Sequence, residues 1–265
     1  MDLQLTGRPA LVTGGSSGIG RAIARQLALE GARVAIAAQN PDRLARAAAE
    51  LSDEVGAAML PVEIDTRSDT SVRTAVERVV SELGGLAILV NAAAKPGGGP
   101  SVGLAGLTEA AFWEDVDVKV LGYLRAAREA APHMTTAGWG RIINISGLAA
   151  RQTGSIIGSI RNVAVAALTK NLADELGPKG VTVTVVHPGA TRTERTPARL
   201  ADIAARNDIS LEDAERRLGA FASIGRLVDA TEVADIVAFL ASPRSAAING
   251  DAIACGGGAP GAIHY

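Results

Sequence analysis

Short apolar runs alternate along this chain with longer stretches whose apolar positions recur every three or four residues, and each change of period marks a change of element. Ala10 to Val12 is continuously apolar, as in a strand covered on both faces. Thr13-Gly14-Gly15-Ser16-Ser17-Gly18-Ile19-Gly20 breaks that run, and Ile19, Ile23 and Leu27 then repeat at helical spacing until Gly31. Arg33 to Ala38 predicts a second strand. Asn40 followed by Pro41 is a helix start, with Leu44, Ala47, Ala48 and Leu51 as the buried stripe. Met59 to Ile64 predicts a third strand, and Ser68 caps a helix whose apolar face is Val72, Val76, Val79, Val80 and Leu83.

The alternation continues to the end. Leu86 to Val90 predicts the fourth strand; a glycine-rich loop, Lys95 to Pro100, leads to a long helix from about Thr108 to Thr136; Arg141 to Ser146 is the fifth strand. A helix from about Ile157 to Leu176 stops before Pro178, and the β-branched run Val181 to Val186 is the sixth strand. Pro197 to Ser223 is helical but polar. Thr231 opens a helix with Val233, Ile236, Val237 and Leu240 on one face, and Ala252 to Ala254 is a last short strand. Strands separated by helices that cover both faces predict an α/β fold: a Rossmann-type, doubly wound parallel sheet of about seven strands, with residues 1–265 forming a single domain.

In such a sheet ligands bind beyond the carboxyl ends of the strands. That rule singles out the glycine turn, Gln39-Asn40, Asp65-Thr66, Asn91 to Ala94, Ser146-Gly147 and His187-Pro188-Gly189. The glycines of the turn are spaced for a tight bend, for close approach of backbone amides to a pyrophosphate, and for close helix–strand packing. The following helix would aim its amides at the phosphates. Taken alone, the same glycines also suit an ordinary turn.

Composition narrows the partners. The 265 residues are 48% hydrophobic with a net charge of −2, which allows one sizeable core and supplies no basic field for nucleic acid or an anionic membrane. The one cysteine, Cys255, and the scattered histidines His133, His187 and His264 offer neither a disulfide nor metal-ligand spacing. Met1 to Arg8 lacks the build of a signal peptide and no apolar run is long enough to span a bilayer, so the expectation is a cytoplasmic protein that acts on a small molecule.

Taken together, Thr13-Gly14-x-x-x-Gly18-Ile19-Gly20, Asp65, Leu89-Val90-Asn91-Ala92-Ala93-Ala94, Arg141-Ile142-Ile143-Asn144-Ile145-Ser146, Pro188-Gly189-Ala190-Thr191-Arg192-Thr193 and Gly256-Gly257-Gly258 resemble the short-chain dehydrogenase/reductase family over nearly the whole chain. The resemblance implies hydride transfer between NAD(P) and a carbonyl or alcohol substrate. It assigns Gly14, Ser16, Ser17, Gly18, Ile19 and Gly20 to the pyrophosphate and Asp65 and Thr66 to the adenine. Asn91, Ala92 and Ala93 fall to the ribose region, and Pro188, Gly189, Thr191 and Thr193 to the nicotinamide side. Asp65 also reads as a turn cap and Asn91 as a tie between strands. At the end of the second strand stands Gln39, where an acid would hold the adenosine 2′-OH and repel a 2′-phosphate, so NADP is favoured over NAD. Arg43 is close enough in sequence to meet a phosphate, or is simply an exposed helix arginine.

The family's chemistry uses a Tyr-x-x-x-Lys pair, a serine that holds the substrate oxygen, and an asparagine on the preceding long helix. Here the tyrosine position falls on Gly158 and the lysine position on Asn162, and no tyrosine lies between Tyr123 and Tyr265. The serine position falls on Gly147, leaving Ser146 one residue early, where strand alternation would turn it to the other face unless the chain bends. The helix asparagine corresponds to Lys119. Lysine and asparagine have thus exchanged helices, and the catalytic candidates are Ser146, Lys119 and Asn162; Lys119 also reads as a surface or interface lysine. Tyr123, one turn beyond Lys119, is either packing or a reversed proton donor. Ser155, Ser159, Arg151, Arg161 and Lys95 are further polar candidates.

Three functions fit. The first is an NAD(P)-dependent oxidoreductase with an altered catalytic set, its pocket closed by a lid over 197–223, where Ser210-Leu211-Glu212-Asp213 resembles a capping box. The others are a lyase or hydratase that uses Lys119 beside a retained nucleotide, and a silent nucleotide-binding subunit. The resemblance implies a homo-oligomer, tetramer or dimer, formed through the long helices.

Overall fold

The structure is a computed structural model that describes residues 1–94 and 103–261; the loop from Lys95 to Pro100, His264 and Tyr265 lie outside the described residues. β1 (Pro9–Thr13), β2 (Arg33–Ala38), β3 (Leu60–Glu63), β4 (Ile88–Asn91), β5 (Gly140–Ile145), β6 (Val181–Pro188) and β9 (Ala252–Cys255) form one sheet, in the order β3-β2-β1-β4-β5-β6-β9. Every pairing in it is parallel. The expected α/β architecture is therefore present, with the direction of winding reversing between β1 and β4.

Strand alternation sorts the core into two layers. Ala10, Val12, Val34 and Ile36 face α1 (Gly18–Leu29), α2 (Pro41–Val55) and α9 (Ala230–Ala241). Leu11, Ala35 and Ala37 face the other layer, made by α3 (Asp69–Leu83), α5 (Gly122–Thr136) and α6 (Ile156–Leu176). Local chemistry sets the helix starts: Asn40 accepts from the Arg43 amide at 2.8 Å, and Ser68 from the Ser71 amide at 3.2 Å. The stripe Leu44, Ala47, Ala48 and Leu51 is the buried face of α2.

Two features depart from the periodicity. The long helix expected over Thr108 to Thr136 is α4 (Glu109–Val116), a π turn at Asp117–Leu121, and α5. The turn's carbonyls take side-chain donors as well: Thr66 Oγ1 donates to the Val118 carbonyl at 3.2 Å, and the Asp117 carbonyl, which accepts the Gly122 amide across the turn, also accepts from Arg125 Nη1 at 3.4 Å. The polar segment beyond Pro197 is a pair of helices, α7 (Thr196–Asn207) and α8 (Leu211–Gly219). Its base is a two-residue parallel pairing of β7 (Thr191–Arg192) with β8 (Val228–Asp229), too short to leave a sequence signal.

Candidate active site

A cleft of about 890 Å³ opens at the carboxyl ends of β1 and β4, where the winding reverses. Gly14, Ser16, Ser17, Ile19 and Gly20 line it from the glycine turn, with Gln39, Asp65 and Thr66, Ala92 and Ala93, and Gly189, Thr191 and Thr193 from the ends of the other strands. The turn is cut to leave no room for side chains. Gly14 has φ +71°, and a Cβ there would lie 2.8 Å from the backbone of Ala92 and Ala93.

Some of the expected residues stand behind the lining. Asn91 is fully buried and donates from Nδ2 to Asn144 Oδ1 at 2.9 Å; Asn144 in turn donates to Thr169 Oγ1 at 2.9 Å. It ties β4 to β5, the plainer of its two readings. Pro188 is buried at the end of β6, beside Cys255 of β9. The Asp65 carboxylate accepts from the Arg67 amide at 3.0 Å and from its guanidinium at 3.0 and 2.8 Å, so it caps its turn as well as facing the cleft. Arg67 holds its pKa below the usual carboxylate range. Thr66 is held by the π turn through its hydroxyl.

The residues that depart from the family converge on the end of β5. Lys119 sits in the π turn and is 3% exposed; its Nζ donates to the Ser146 carbonyl and to Asn162 Oδ1, both at 3.0 Å. Ser146 Oγ donates to the Asn162 carbonyl at 3.1 Å. Lys119 and Ser146 both line the cleft, whereas Asn162 stands behind them on α6. Burial lowers the Lys119 pKa from 10.5 to about 7, with the Arg161 guanidinium pushing the same way and the Asp115 carboxylate opposing. An ammonium has three donors, and these two contacts leave one. The surface reading of Lys119 is excluded.

Beneath Lys119, Arg161 and Asp115 form an ion pair between α6 and α4, each about 5% exposed. His187 accepts from the Gly147 amide through Nδ1 at 3.4 Å, and burial pushes its pKa down to about 4, so its ring is neutral at pH 7. Tyr123 donates its hydroxyl to the Ile145 carbonyl at 2.8 Å and lies outside the cleft lining, so it is packing; burial drives its pKa upward. Ser155 caps α6, Ser159 donates to the Gln152 carbonyl and Arg151 to the Ala252 carbonyl. Lys95 is outside the described residues.

Comparison with known proteins decides the family. The family model described as enoyl-(acyl carrier protein) reductase matches residues 14–259. The chain belongs to the short-chain dehydrogenase/reductase family. The 3-oxoacyl-(acyl-carrier-protein) reductase FabG of Aquifex aeolicus is 31% identical over 269 residues, covering 97% of this chain and 99% of that one. The L-sorbose reductase of Gluconobacter frateurii, solved with NADPH and L-sorbose, superposes with a TM-score of 0.91 at 29% identity, covering 99% of this chain and 100% of that one. An actinorhodin polyketide ketoreductase solved with NADPH superposes at 0.86 with 34% identity, covering 94% and 96%. This short-chain dehydrogenase/reductase is accordingly an NAD(P)-binding oxidoreductase, and that reading stands over the lyase, hydratase and silent-subunit alternatives.

The cleft of this short-chain dehydrogenase/reductase fits a dinucleotide. The Gly18 amide at the start of α1 already donates to an anion, both carboxylate oxygens of Glu194 at 3.1 Å. Arg43, Arg67, Arg195 and Arg199 add positive charge along the lining. Sequence reasoning missed Glu194, Arg67, Arg195 and Arg199. The i, i+4 spacing of Arg195 and Arg199 at a helix start was a usable signal; nothing in sequence places Glu194 beside Gly18, 176 residues away.

Among the described residues, no group of His, Cys, Asp and Glu side chains could hold a metal ion, and no helix is long and apolar enough to cross a membrane.

Proposed function

We propose that this chain interconverts a carbonyl and an alcohol with NADP, and that Lys119 holds the proton that the family's tyrosine would otherwise carry. The observation behind this is the Lys119 amine, 3.0 Å from both Asn162 Oδ1 and the Ser146 carbonyl in the wall of the cleft. On this reading the tyrosine and lysine positions are Gly158 and Asn162, and the lysine and asparagine have traded helices.

Bound nicotinamide would supply the hydride, or take it in the reverse direction. Ser146 Oγ, on turning its one hydroxyl proton from the Asn162 carbonyl to the cleft, holds the substrate oxygen. In the reducing direction the remaining Lys119 N–H gives that oxygen its proton; in the oxidising direction the neutral amine removes it. Asn162 is a positioning residue that fixes the amine. Gly14, Ser16, Ser17, Gly18, Ile19 and Gly20 take the pyrophosphate and Asp65 and Thr66 the adenine. Ala92 and Ala93 lie along the ribose with Asn91 holding their strand, and Pro188, Gly189, Thr191 and Thr193 border the nicotinamide. NADP is supported over NAD by Gln39 in place of an acid and by Arg43 in the cleft wall. It is also the cofactor form in the two solved relatives.

The α7–α8 pair over 197–223 serves as the lid of the substrate pocket. A homo-oligomer forms through α4 to α6, whose outer faces expose Trp113, Leu124, Ile156, Ile160 and Val163.

The test is fluorescence titration with NADPH and NADH, followed by hydride transfer to a carbonyl panel. Lys119→Ala should keep NADPH binding and lose about 10²- to 10³-fold in turnover, within the range of general acid catalysis. Unchanged turnover in Lys119→Ala would remove the proton role; absence of binding to either nucleotide would remove the cofactor assignment.

A further inference from the structure

The segment after β7 brings two opposite charges to the mouth of the glycine turn. Ser17, at the N-cap of α1, makes no side-chain cap bond. The Gly18 amide instead donates to both carboxylate oxygens of Glu194, at 3.1 Å each. The next side chain, Arg195, lies over the same residue: a Cβ built on Gly18 would be 3.0 Å from its Nη2. Among the described residues the guanidinium of Arg195 has no carboxylate partner, and neither has that of Arg199 one turn on.

The first amides of a helix are unsatisfied donors at the positive end of its dipole, and an anion there is favourable. A carboxylate and a phosphate compete for that position, because a dinucleotide pyrophosphate seated on the glycine turn would bring its charge against Glu194. Glu194 is exposed, so its hold is modest and reversible. The pyrophosphate has more to gain, from the hydroxyls of Ser16, Ser17 and Thr193 and from the unpaired guanidinium of Arg195.

We infer that Glu194 is an internal stand-in for the cofactor pyrophosphate: cofactor binding displaces it from the Gly18 amide and leaves Arg195 as the cation beside the phosphates. The inference rests on the assignment of the glycine turn to NADP. Because α7 begins at Thr196, the displaced contact is also one tie between the α7–α8 pair and the glycine turn, beside the β7–β8 pairing and the Arg192–Glu215 ion pair. Cofactor binding therefore loosens the start of α7, which responds to whether the cofactor is in place.

The experiment is NADPH titration of the full chain and of Glu194→Gln, Glu194→Ala and Glu212→Gln, with limited tryptic cleavage after Arg195 and Arg199 in the absence of nucleotide. Both Glu194 variants should bind NADPH about fivefold more tightly than wild type, the scale of one exposed charge at a helix terminus. Without nucleotide they should also be cut faster. Glu212→Gln removes the same charge from the outer face of α8, where Glu212 pairs with Arg216, and should match wild type in both assays. Wild-type binding with no gain in the Glu194 variants would overturn the displacement and leave the cofactor assignment standing. An equal gain in Glu212→Gln would reduce the effect to net charge and overturn it as well. If no protein bound NADPH or NADH, the assignment and the inference would fall together.

Discussion

A lysine buried at 3% exposure without a carboxylate in contact is costly, and the cost has a sign that pH reveals. Between about pH 7 and 10.5 the folded Lys119 is neutral while the unfolded one is charged. The unfolded chain then binds more protons, so Lys119 makes stability rise with pH across that window. Below about pH 7 both forms carry the proton and its cost to the folded state is at its largest. Lys119→Met removes this dependence, so the variant's melting temperature relative to wild type should fall as pH rises from 7 to 10, measured by calorimetry at fixed ionic strength. The same amine sets the expected rate profile. Carbonyl reduction should decline, and alcohol oxidation rise, as pH passes through about 7. Asn162→Asp would put a carboxylate where an amide oxygen now stands 3.0 Å from Nζ. That stabilises the ammonium, and both limbs should move to higher pH by about one unit or more. A profile that stays put would separate Asn162 from the proton.

At the scale of elements, the glycine turn is where backbone geometry and function meet. Gly14 combines φ +71° with backbone atoms of Ala92 and Ala93 2.8 Å from any added Cβ, so neither rotation nor a flexible neighbour can relieve a methyl group there. Gly14→Ala should cost about 1–3 kcal/mol in urea unfolding and weaken NADPH binding at least tenfold, because β1 and β4 must part at the wall of the cleft. Caps and stripes were legible here: Asn40-Pro41 and Ser68 start α2 and α3 as their side chains demand. The π turn was not. Its carbonyls are braced by side chains, Arg125 eight residues on and Thr66 from 52 residues before Val118, and the second of these has no local signal. That turn is also what seats Lys119.

For the whole molecule, the reversal of winding between β1 and β4 creates the cleft, and the helices packed on both faces bury the strands that form it. Among the described residues, α6 presents an apolar stripe at the surface. Ile156, Ile160 and Val163 follow one another at helical spacing on α6 and are 43, 47 and 50% exposed. If two copies bury this stripe, Ile160→Asp should shift the sedimentation coefficient to that of a smaller species without changing the circular dichroism spectrum. An unchanged distribution would remove this stripe as a contact between copies.

By itself, the sequence determined the features that local pattern controls. Runs such as Val181 to Val186 become strands because β-branched residues suit a surface packed on both sides, and glycine stands at 14 and 20 because a Cβ there would meet backbone atoms within 2.8 Å. The order of these elements predicted the fold, and the motifs at the strand ends carried the resemblance to the family. Only the tertiary structure decided which polar residues meet. Lys119 and Asn162 are 43 positions apart, and Gly18 and Glu194 176 apart, and no local periodicity reports a contact across such distances. The side of the strand on which Ser146 lies was also decided there, because Ser146 is just past the last residue of β5, bonds to the Asn162 carbonyl of α6 and lines the cleft. A proton affinity depends on burial and on neighbours from other elements, so the shift of Lys119 toward neutral pH exists only once the chain has closed around it.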